Sequence, residues 1–352
     1  MTDATRPLRV MQVLDPPDGT TRYADQVVRH LPADVEITWF TWRRAFTQRY
    51  DVLHVHWPER LVRDERRGGV RTWAKRAACL ALVARCALLR VAVVRTEHNL
   101  APHEPGDRVE SWVLGALDRA TAWTIVLNEA TPVRPGRPRT LVRLADYREP
   151  FGAHVRPDRV AGRVLNFGII RDYKGVDRLL DVVREIPDDG LTLRVVGRPA
   201  TDRWREVVES AAAADPRVRP VLDFVPDAEL VAHVGEAQLV VLPYRELHNS
   251  GAVLVPLSLD RPVLVPRTPT TVDLQHEVGA QWVHLYDGEL TAADVVSSLA
   301  AAARIPPGER SGLTDRDWPT VGRRHVEVWR AAVAAVRHTP APAPEDVPAV
   351  RG

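Results

Sequence analysis

Two short runs hold the residues best suited to binding an anion. In Gly168-Ile169-Ile170-Arg171-Asp172-Tyr173-Lys174-Gly175 an apolar strand pattern ends, two cations follow three positions apart, and a glycine opens a helical pattern. An anion placed there meets free backbone N–H groups and the positive end of a helix dipole. The arginine offers phosphate a planar fork and the lysine a point charge. The second run, Tyr244-Arg245-Glu246-Leu247-His248-Asn249-Ser250-Gly251, follows the apolar stretch Leu239–Leu242. Asn-Ser-Gly before an apolar helix is a good N-cap, and it also presents backbone N–H groups to a diphosphate. Taken singly, the two runs read equally well as a solvated basic turn and an ordinary cap. Their shared position after strands is what favours phosphate binding.

The first half of the chain carries candidate proton-transfer groups. The strand pattern ending at Thr96 leads into Glu97-His98-Asn99-Leu100-Ala101-Pro102-His103-Glu104. A base that activates a hydroxyl must lie within hydrogen-bond reach of it, and Glu97, Glu104 and Asp15 all sit in loops or at strand ends. A lone loop histidine more often only satisfies its neighbours; the strand-end position raises His98 above that reading. Asp18-Gly19-Thr20-Thr21-Arg22 follows the first strand pattern but is not G-x-G-x-x-G, which argues against dinucleotide binding. His54 and His56 alternate on a strand and therefore share a face. No third ligand is identifiable nearby in sequence, so no metal is expected. Asp315-Arg316-Asp317 matches a D-x-D pattern but precedes Trp318-Pro319 and a helical stretch, where capping is the better reading.

Elements that alternate strand and helix must position these runs. Leu8–Leu14, Val35–Trp42, Val52–His56, Val91–Thr96 and Trp123–Leu127 read as strands in the first half, with helices over Tyr23–Leu31, Arg71–Leu89 and Val113–Ala120. Val164–Ile170, Leu191–Val196, Val221–Val225, Leu239–Leu242 and Pro262–Pro266 repeat the scheme. Such alternation implies βαβ units and a parallel sheet in each half. The expected organisation is an N-terminal Rossmann-like domain over 1–155, a second over 156–316, a helix over 317–338 packing back on the first, and a disordered Pro/Ala-rich tail over 339–352. Open α/β sheets bind ligands outside the carboxyl ends of their strands, which is where both runs fall.

Composition narrows the class. With 48 Lys and Arg against 46 Asp and Glu, the net charge of +2 gives no global drive toward nucleic acid. The start has no apolar signal core, and no apolar run approaches the roughly 20 residues of a spanning helix, so a cytoplasmic protein is expected. Cys79 and Cys86, on one helix, would be separated by about 10.5 Å of rise, too far for a disulfide. The cations of Arg60–Arg76 beside Trp73 could dock on anionic lipid, while a charged loop before a buried helix is the plainer reading.

The order of motifs carries a resemblance. G-x-I-x-x-Y-K-G-x-x-x-L-L, then Leu193-Arg194-Val195-Val196-Gly197, then Phe224-Val225-Pro226-Asp227, the Asn-Ser-Gly helix and Arg261-Pro262-Val263 resemble the C-terminal half of GT-B fold glycosyltransferases. The likeness is to family 4-like enzymes and bacterial exopolysaccharide mannosyl- and glucuronosyltransferases, over roughly 160–290. It implies two Rossmann-like parallel-sheet domains facing a cleft, and transfer of a hexosyl group from a nucleoside diphosphate sugar to a saccharide or lipid-linked saccharide. GDP-mannose is favoured over UDP-sugars, with no metal or other cofactor. Arg171 and Lys174 would hold the diphosphate, Gly197 would let backbone approach the donor, and Phe224 and Val225 would lie beside the base. Tyr244, Glu246, Asn249, Ser250 and Gly251 would complete the donor side. His98, with Glu97, would face the reacting sugar, and Asp15, Gly19, Thr20 and Glu104 the acceptor. The family's two glutamates, with seven residues between them, fall on Leu247 and Val255, with Glu246 one residue off the first. That departure leaves the stereochemistry undetermined at this point, and keeps two alternatives in view: a degenerate nucleotide-sugar-binding protein and a GT-B sugar-nucleotide epimerase.

Overall fold

The computed structural model describes residues 6–17, 22–64, 69–98, 106–245, 247 and 251–337. In the first half β1 (Leu8–Val13), α1 (Arg22–Val28), β2 (Val35–Trp39), α2 (Trp42–Thr47), β3 (Val52–Val55), α3 (Val70–Leu88), β4 (Ala92–Glu97), α4 (Arg108–Ala120), β5 (Thr121–Val126) and β6 (Arg139–Leu141) follow one another. The second half runs α5 (Arg148–Phe151), β7 (Arg163–Phe167), α6 (Val176–Glu185), β8 (Thr192–Val196), α7 (Asp202–Ala214), β9 (Val218–Val221), α8 (Asp227–Glu236) and β10 (Leu239–Val241). It continues with α9 (Gly251–Ser258), β11 (Val263–Pro266), α10 (Pro269–Val278), β12 (Val283–Tyr286) and α11 (Ala292–Ala303), before a last helix, α12 (Trp318–Arg337).

The chain forms two compact units. Unit 1 comprises the residues up to Arg143 and those from Trp318 onward; unit 2 is Leu144–Asp317. Each is built on a parallel six-stranded sheet, in the order β2-β1-β3-β4-β5-β6 and β12-β11-β10-β7-β8-β9. The boundary expected at 155 lies inside unit 2. Phe151 is buried in that unit's core, the Tyr147 N–H donates to Ser258 Oγ at 2.9 Å, and the Arg316 guanidinium donates to the Leu144 carbonyl at 2.9 Å. Polar composition places the boundary near 150–163, whereas the backbone just before it is already tied into unit 2.

In unit 1 one sheet face presents Met11, Val13, Leu53, Val55 and Val93 to Cys79, Leu82 and Cys86 of α3 and to Val113 and Leu117 of α4. Both thiols are buried and free. The alternate residues Val10, Gln12, His54, Val94 and Thr96 point to the opposite face, which α12 covers along β3, β4 and β5. In unit 2 both faces are apolar, as a parallel sheet buried on two sides requires.

Three elements differ from the sequence expectation for local reasons. The strand expected over Val221–Val225 is Val218–Val221; it lies at the sheet edge, where Pro220 is tolerated because no ladder donor is needed there. The second strand stops at Trp39 because the Thr41 hydroxyl accepts from the Arg44 N–H and starts α2. The Asp107 carboxylate accepts from the Glu110 N–H and starts α4 five residues earlier than Val113. No helix among the described residues is long and apolar enough to cross a membrane.

Trp329 of α12 is fully buried, and its Nε1–H donates to His54 Nδ1 at 3.3 Å. Trp329→Ala removes both packing and partner. It is expected to cost about 3–5 kcal/mol, read from urea unfolding; a loss below ~1 kcal/mol would show that α12 does not hold unit 1 together.

Candidate functional site

In unit 2 the strand order reverses between β7 and β10, so the loops after these strands form the ligand-binding edge. The first runs from Gly168 through a single 3₁₀ turn, Asp172–Lys174, to Gly175, which opens α6. The second begins at Leu242. The loops touch so closely that a Cβ on Gly175, whose φ is +63°, would lie 2.1 Å from the Pro243 carbonyl oxygen. Arg245 ties them further. Its N–H donates to the Tyr173 carbonyl at 2.7 Å, and its guanidinium to the Asp172 carbonyl and the Asp177 carboxylate, both at 2.6 Å. Asp172 is fixed from below by the Trp204 Nε1–H at 2.8 Å.

This frame holds Lys174, which is only 8% exposed. Its ammonium lies 5.0 Å from the centre of the buried Tyr244 ring. Gly168 sits at φ +100°, a backbone conformation that favours glycine, and a Cβ there would come within 2.8 Å of that ammonium. Burial, and then the neighbouring Arg171, push the lysine pKa down to about 8. Arg171 itself is exposed. Gly197 has a packing reason of its own: at φ +138° a Cβ would sit 2.3 Å from the Gly168 carbonyl oxygen. Phe224 is 75% exposed in the loop after β9, while Val225 is half-buried against the core. Gly251 is the first residue of α9, close under the Tyr147 hydroxyl. Val255 is buried in the core and Leu247 packs against it, so the second acidic position of the resemblance is a packing position here. Glu246, Asn249 and Ser250 lie outside the described residues.

In unit 1 the order reverses between β1 and β3, and there the structure assembles a group of imidazoles. His54 Nε2 lies 2.8 Å from Thr96 Oγ1. His56 Nε2 lies 2.9 Å from Gln12 Oε1, and His56 Nδ1 is 3.2 Å from His98 Nε2. The His98 ring stacks on Trp57, with centres 4.4 Å apart, and meets the edge of Tyr23 at 4.6 Å. His325 of α12 packs beside His54 and bonds the Val321 carbonyl oxygen at 2.8 Å. Burial holds all four imidazoles neutral. His98 is pushed down to about 3 and His325 to about 4; His54 is lowered by burial and then by His325 and His98, and His56 by burial and then by His54, His98 and His325.

Glu97 follows Thr96 on the strand and so faces away from the histidines. It pairs with Arg95 at 3.0 Å and lines a cavity of about 260 Å³ with Asp118, Thr124, Arg134 and Arg137. Burial raises its pKa. Glu97 and His98 therefore belong to different surroundings and do not act as one catalytic pair. Asp15 is exposed and pairs with Arg60 at 3.0 Å. Gly19, Thr20 and Glu104 lie outside the described residues. Among the described residues no group of three or more His, Cys, Asp or Glu is arranged to hold a metal ion. In Asp315-Arg316-Asp317 the arginine is buried in a two-pronged pair with Glu277, at 2.6 and 2.8 Å.

Sequence reasoning passed over Gln12, Tyr23, Trp57, His325 and Arg245. Gln12 left a signal, as a polar residue in the middle of an apolar strand. The others meet the site only through tertiary packing.

The chain matches no protein-family model. It is 42% identical over 318 residues to a GDP-mannose:glycolipid 4-beta-D-mannosyltransferase of Xanthomonas campestris pv. campestris, across 90% of either chain. Among solved structures, Anabaena Alr3699/HepE in complex with UDP has a TM-score of 0.63 at 13% identity, over 92% of this chain and 100% of that one. An α,α-trehalose-phosphate synthase (UDP-forming) from Burkholderia vietnamiensis has 0.60 at 14%, over 94% and 99%. A putative UDP-N-acetylglucosamine 2-epimerase from Listeria monocytogenes has 0.54 at 12%, over 95% and 98%. At such identities the likeness establishes the GT-B fold alone, which transferases and epimerases share.

The neutral imidazoles make unit 1 acid-labile. In the unfolded chain they titrate near 6.5, and in the folded unit at lower pH. Between those values the unfolded chain binds more protons, so their contribution is complete above about 6.5 and lost as pH falls toward the folded values. The urea midpoint is expected to drop steadily from pH 7 to 4.5, and less steeply in His325→Gln. Equal slopes in the two proteins would contradict the burial of His325 as a neutral group.

Proposed function

The chain belongs to the GDP-mannose:glycolipid 4-beta-D-mannosyltransferase family and is a glycosyltransferase of GT-B fold, and from that premise we propose that it transfers mannose from GDP-mannose to a hydroxyl of a lipid-linked saccharide. The observation that carries the reading is the poised cation at the strand-order reversal of unit 2. Lys174 is buried and held over an aromatic face, with its pKa brought down to about 8, so that it is still largely charged at neutral pH. In the proposed complex Lys174 and Arg171 bind the diphosphate and offset the charge that grows on the departing nucleotide, without a metal. Phe224 offers its exposed ring to the base. Gly168, Gly175, Gly197 and Gly251 keep the backbone close beneath the donor, and Asn249, Ser250 and Glu246 remain donor-side candidates. Relatives of this similarity are transferases, which disfavours both the epimerase and the inert binder.

GDP-mannose carries its sugar in α linkage, so a β-linked product requires inversion. Inversion in one displacement needs a base at the acceptor hydroxyl. We assign that role to His98, because Glu97 is engaged with Arg95 on the other sheet face. Asp15, Gly19, Thr20 and Glu104 then remain as acceptor-side candidates.

GDP is expected to raise the melting temperature more than UDP does, and transfer to a lipid-linked acceptor to persist in EDTA. Binding should also track Lys174. Its charged form is already present below pH 8, whereas above about 8 a proton must be taken up to bind. GDP affinity measured by calorimetry should therefore weaken as pH rises through 8. Lys174→Met should abolish that dependence and lower kcat roughly 10²–10³-fold. A pH-independent affinity in the unaltered protein would remove Lys174 from the site.

The reading includes contact with a lipid surface through α3. Val70 and Trp73 on that helix are 85% and 58% exposed, and Leu88 at its end is 82% exposed. Among the described cations nearby, Arg71 is exposed, whereas Arg63 pairs with Glu110, Lys75 with Asp64 and Arg76 with Asp107. Apolar insertion supports docking here more than charge does. Trp73→Ala should release the protein from anionic liposomes in co-sedimentation; undiminished binding would take α3 out of the contact.

A further inference from the structure

We propose that the cavity bounded by α4, β4, β5 and the loop before β6 is a binding site for a small oxyanion, a phosphate or carboxylate group, held by Arg95, Arg134, Arg137 and Thr124. The site lies wholly within unit 1 and goes beyond the transfer reaction proposed above.

The cavity has a volume of about 260 Å³. A single water takes roughly 10–15 Å³ of such space, so an oxyanion and its remaining hydration fit. Arg95 and Glu97 alternate with Thr96 on β4 and project to the sheet face opposite the histidines. Thr124 is the register partner of Arg95 on β5 and shares that face. Asp118 enters from α4, and Arg134 and Arg137 from the loop that follows β5. Pro132 and Arg134 of that loop line the cavity and are exposed, so it is reached from solvent.

Three guanidinium groups meet two carboxylates here. Asp118 receives all three, Arg137 at 2.7 Å, Arg134 at 3.3 Å and Arg95 at 3.6 Å. Arg95 also pairs with Glu97 at 3.0 Å. The lining therefore keeps an excess of positive charge, which acts more strongly in a recess than on open surface. The two carboxylates differ in kind. The Arg137 hydrogen bond holds Asp118 below the usual carboxylate range, while burial raises Glu97. Asp118 is thus the fixed counter-charge, and Glu97 is the group that takes up a proton when negative charge arrives.

Two donors in the lining are unused by these pairs. Thr124 is 1% exposed, and its Oγ1 has no hydrogen-bond partner among the described residues; nor has the buried Nε of Arg95. Buried polar atoms are rarely left so. An oxyanion accepts from both, whereas a cation or an apolar group would leave them unanswered. The planar fork of arginine matches phosphate and carboxylate alike. In the occupied site Arg134, half-exposed beside Asp118, adds its fork to the anion.

Calorimetric titration with sulfate at constant ionic strength tests the site, with acetate as a second probe. Lys174→Met protein is used beside the unaltered one, so that the cation of unit 2 is kept out of the reading. Both are expected to bind sulfate with a Kd of about 1 mM or tighter. Affinity should rise as pH falls from about 7.5 to 5.5, because binding raises the pKa of Glu97 further and takes up a proton. The charged groups that act on Glu97 are Arg95 of β4, Asp118 of α4, Arg137 of the loop and Glu59 of the turn Pro58–Leu61. Glu97→Gln should tighten sulfate roughly 10-fold at the upper pH and remove the pH dependence, a gain that a damaged fold does not produce. Arg134→Gln should weaken it roughly 10-fold. Thr124→Val should weaken it about 5-fold without lowering the urea midpoint, since the hydroxyl it removes is unpaired. Tighter binding of acetate than of sulfate would name a carboxylate as the ligand group, and the reverse order a phosphate. A Kd above about 10 mM for both probes, sulfate binding lost in Lys174→Met, or an affinity unmoved by any one of the other three substitutions would overturn the proposal. None of these titrations needs GDP or transfer, so failure of the proposed function would leave their outcome standing.

Discussion

Keeping Lys174 buried with no carboxylate beside it among the described residues is the constraint around which this edge of unit 2 is built. An ammonium taken out of water costs free energy unless it is paired, and here its neighbours are a tyrosine face and another cation. A flexible loop would release the side chain to solvent. The loop is instead fixed from three directions. Gly168 gives the ammonium room, Gly175 brings the two loops into backbone contact, and Arg245 and Trp204 hold the intervening turn. The left-handed backbone at these glycines follows from the need to hold one charge in one place.

Unit 1 meets the matching problem with neutral groups. Four histidines lie under α12 or at the ends of β3 and β4, and burial keeps them uncharged. A buried imidazole is tolerated when both its nitrogens have partners. Gln12, Thr96 and Trp329 supply them to His54 and His56 from three separate elements, with His98 completing His56, whereas His325 Nε2 is buried with no partner among the described residues. The C-terminal helix is thus more than a lid on an apolar face: its indole closes the hydrogen-bond chain at one end. Glu97 and Arg95, one residue out of phase, are directed to the other face, so the strand separates an ion pair from a neutral network by alternation alone.

Much of this was legible in the sequence, and the limits have physical causes. The apolar runs and their helical intervals marked most of the central strands, and Arg171, Lys174 and His98 stood out by their position after them. β9 was misplaced because Pro220 reads as a breaker, and only knowledge that the strand is an edge removes the objection. α10 went unread although Thr268 and Pro269 form a capping signature, because the apolar spacing after them is weak. The domain boundary was placed too late because the bonds that anchor 144–147 in unit 2 come from Ser258 and Arg316, more than a hundred residues away in the chain. Arg245 was hidden for the same reason: its three partners are backbone and side-chain oxygens of another loop.

In the proposed transfer, the leaving group and the acceptor place opposite demands on charge. Group transfer from a nucleoside diphosphate builds negative charge on the leaving group and calls for a cation that is more effective late in the step than early. A lysine whose pKa has been brought to about 8 meets that demand, since its proton is bound more tightly as the charge on its partner grows. Activation of a hydroxyl calls for the opposite property, a base that is unprotonated when the acceptor arrives. Burial among neutral aromatic groups keeps His98 in that form at neutral pH. Desolvation therefore acts on both residues in the same direction, lowering each pKa. Its consequence differs because lysine must be largely charged to bind and histidine must be neutral to accept.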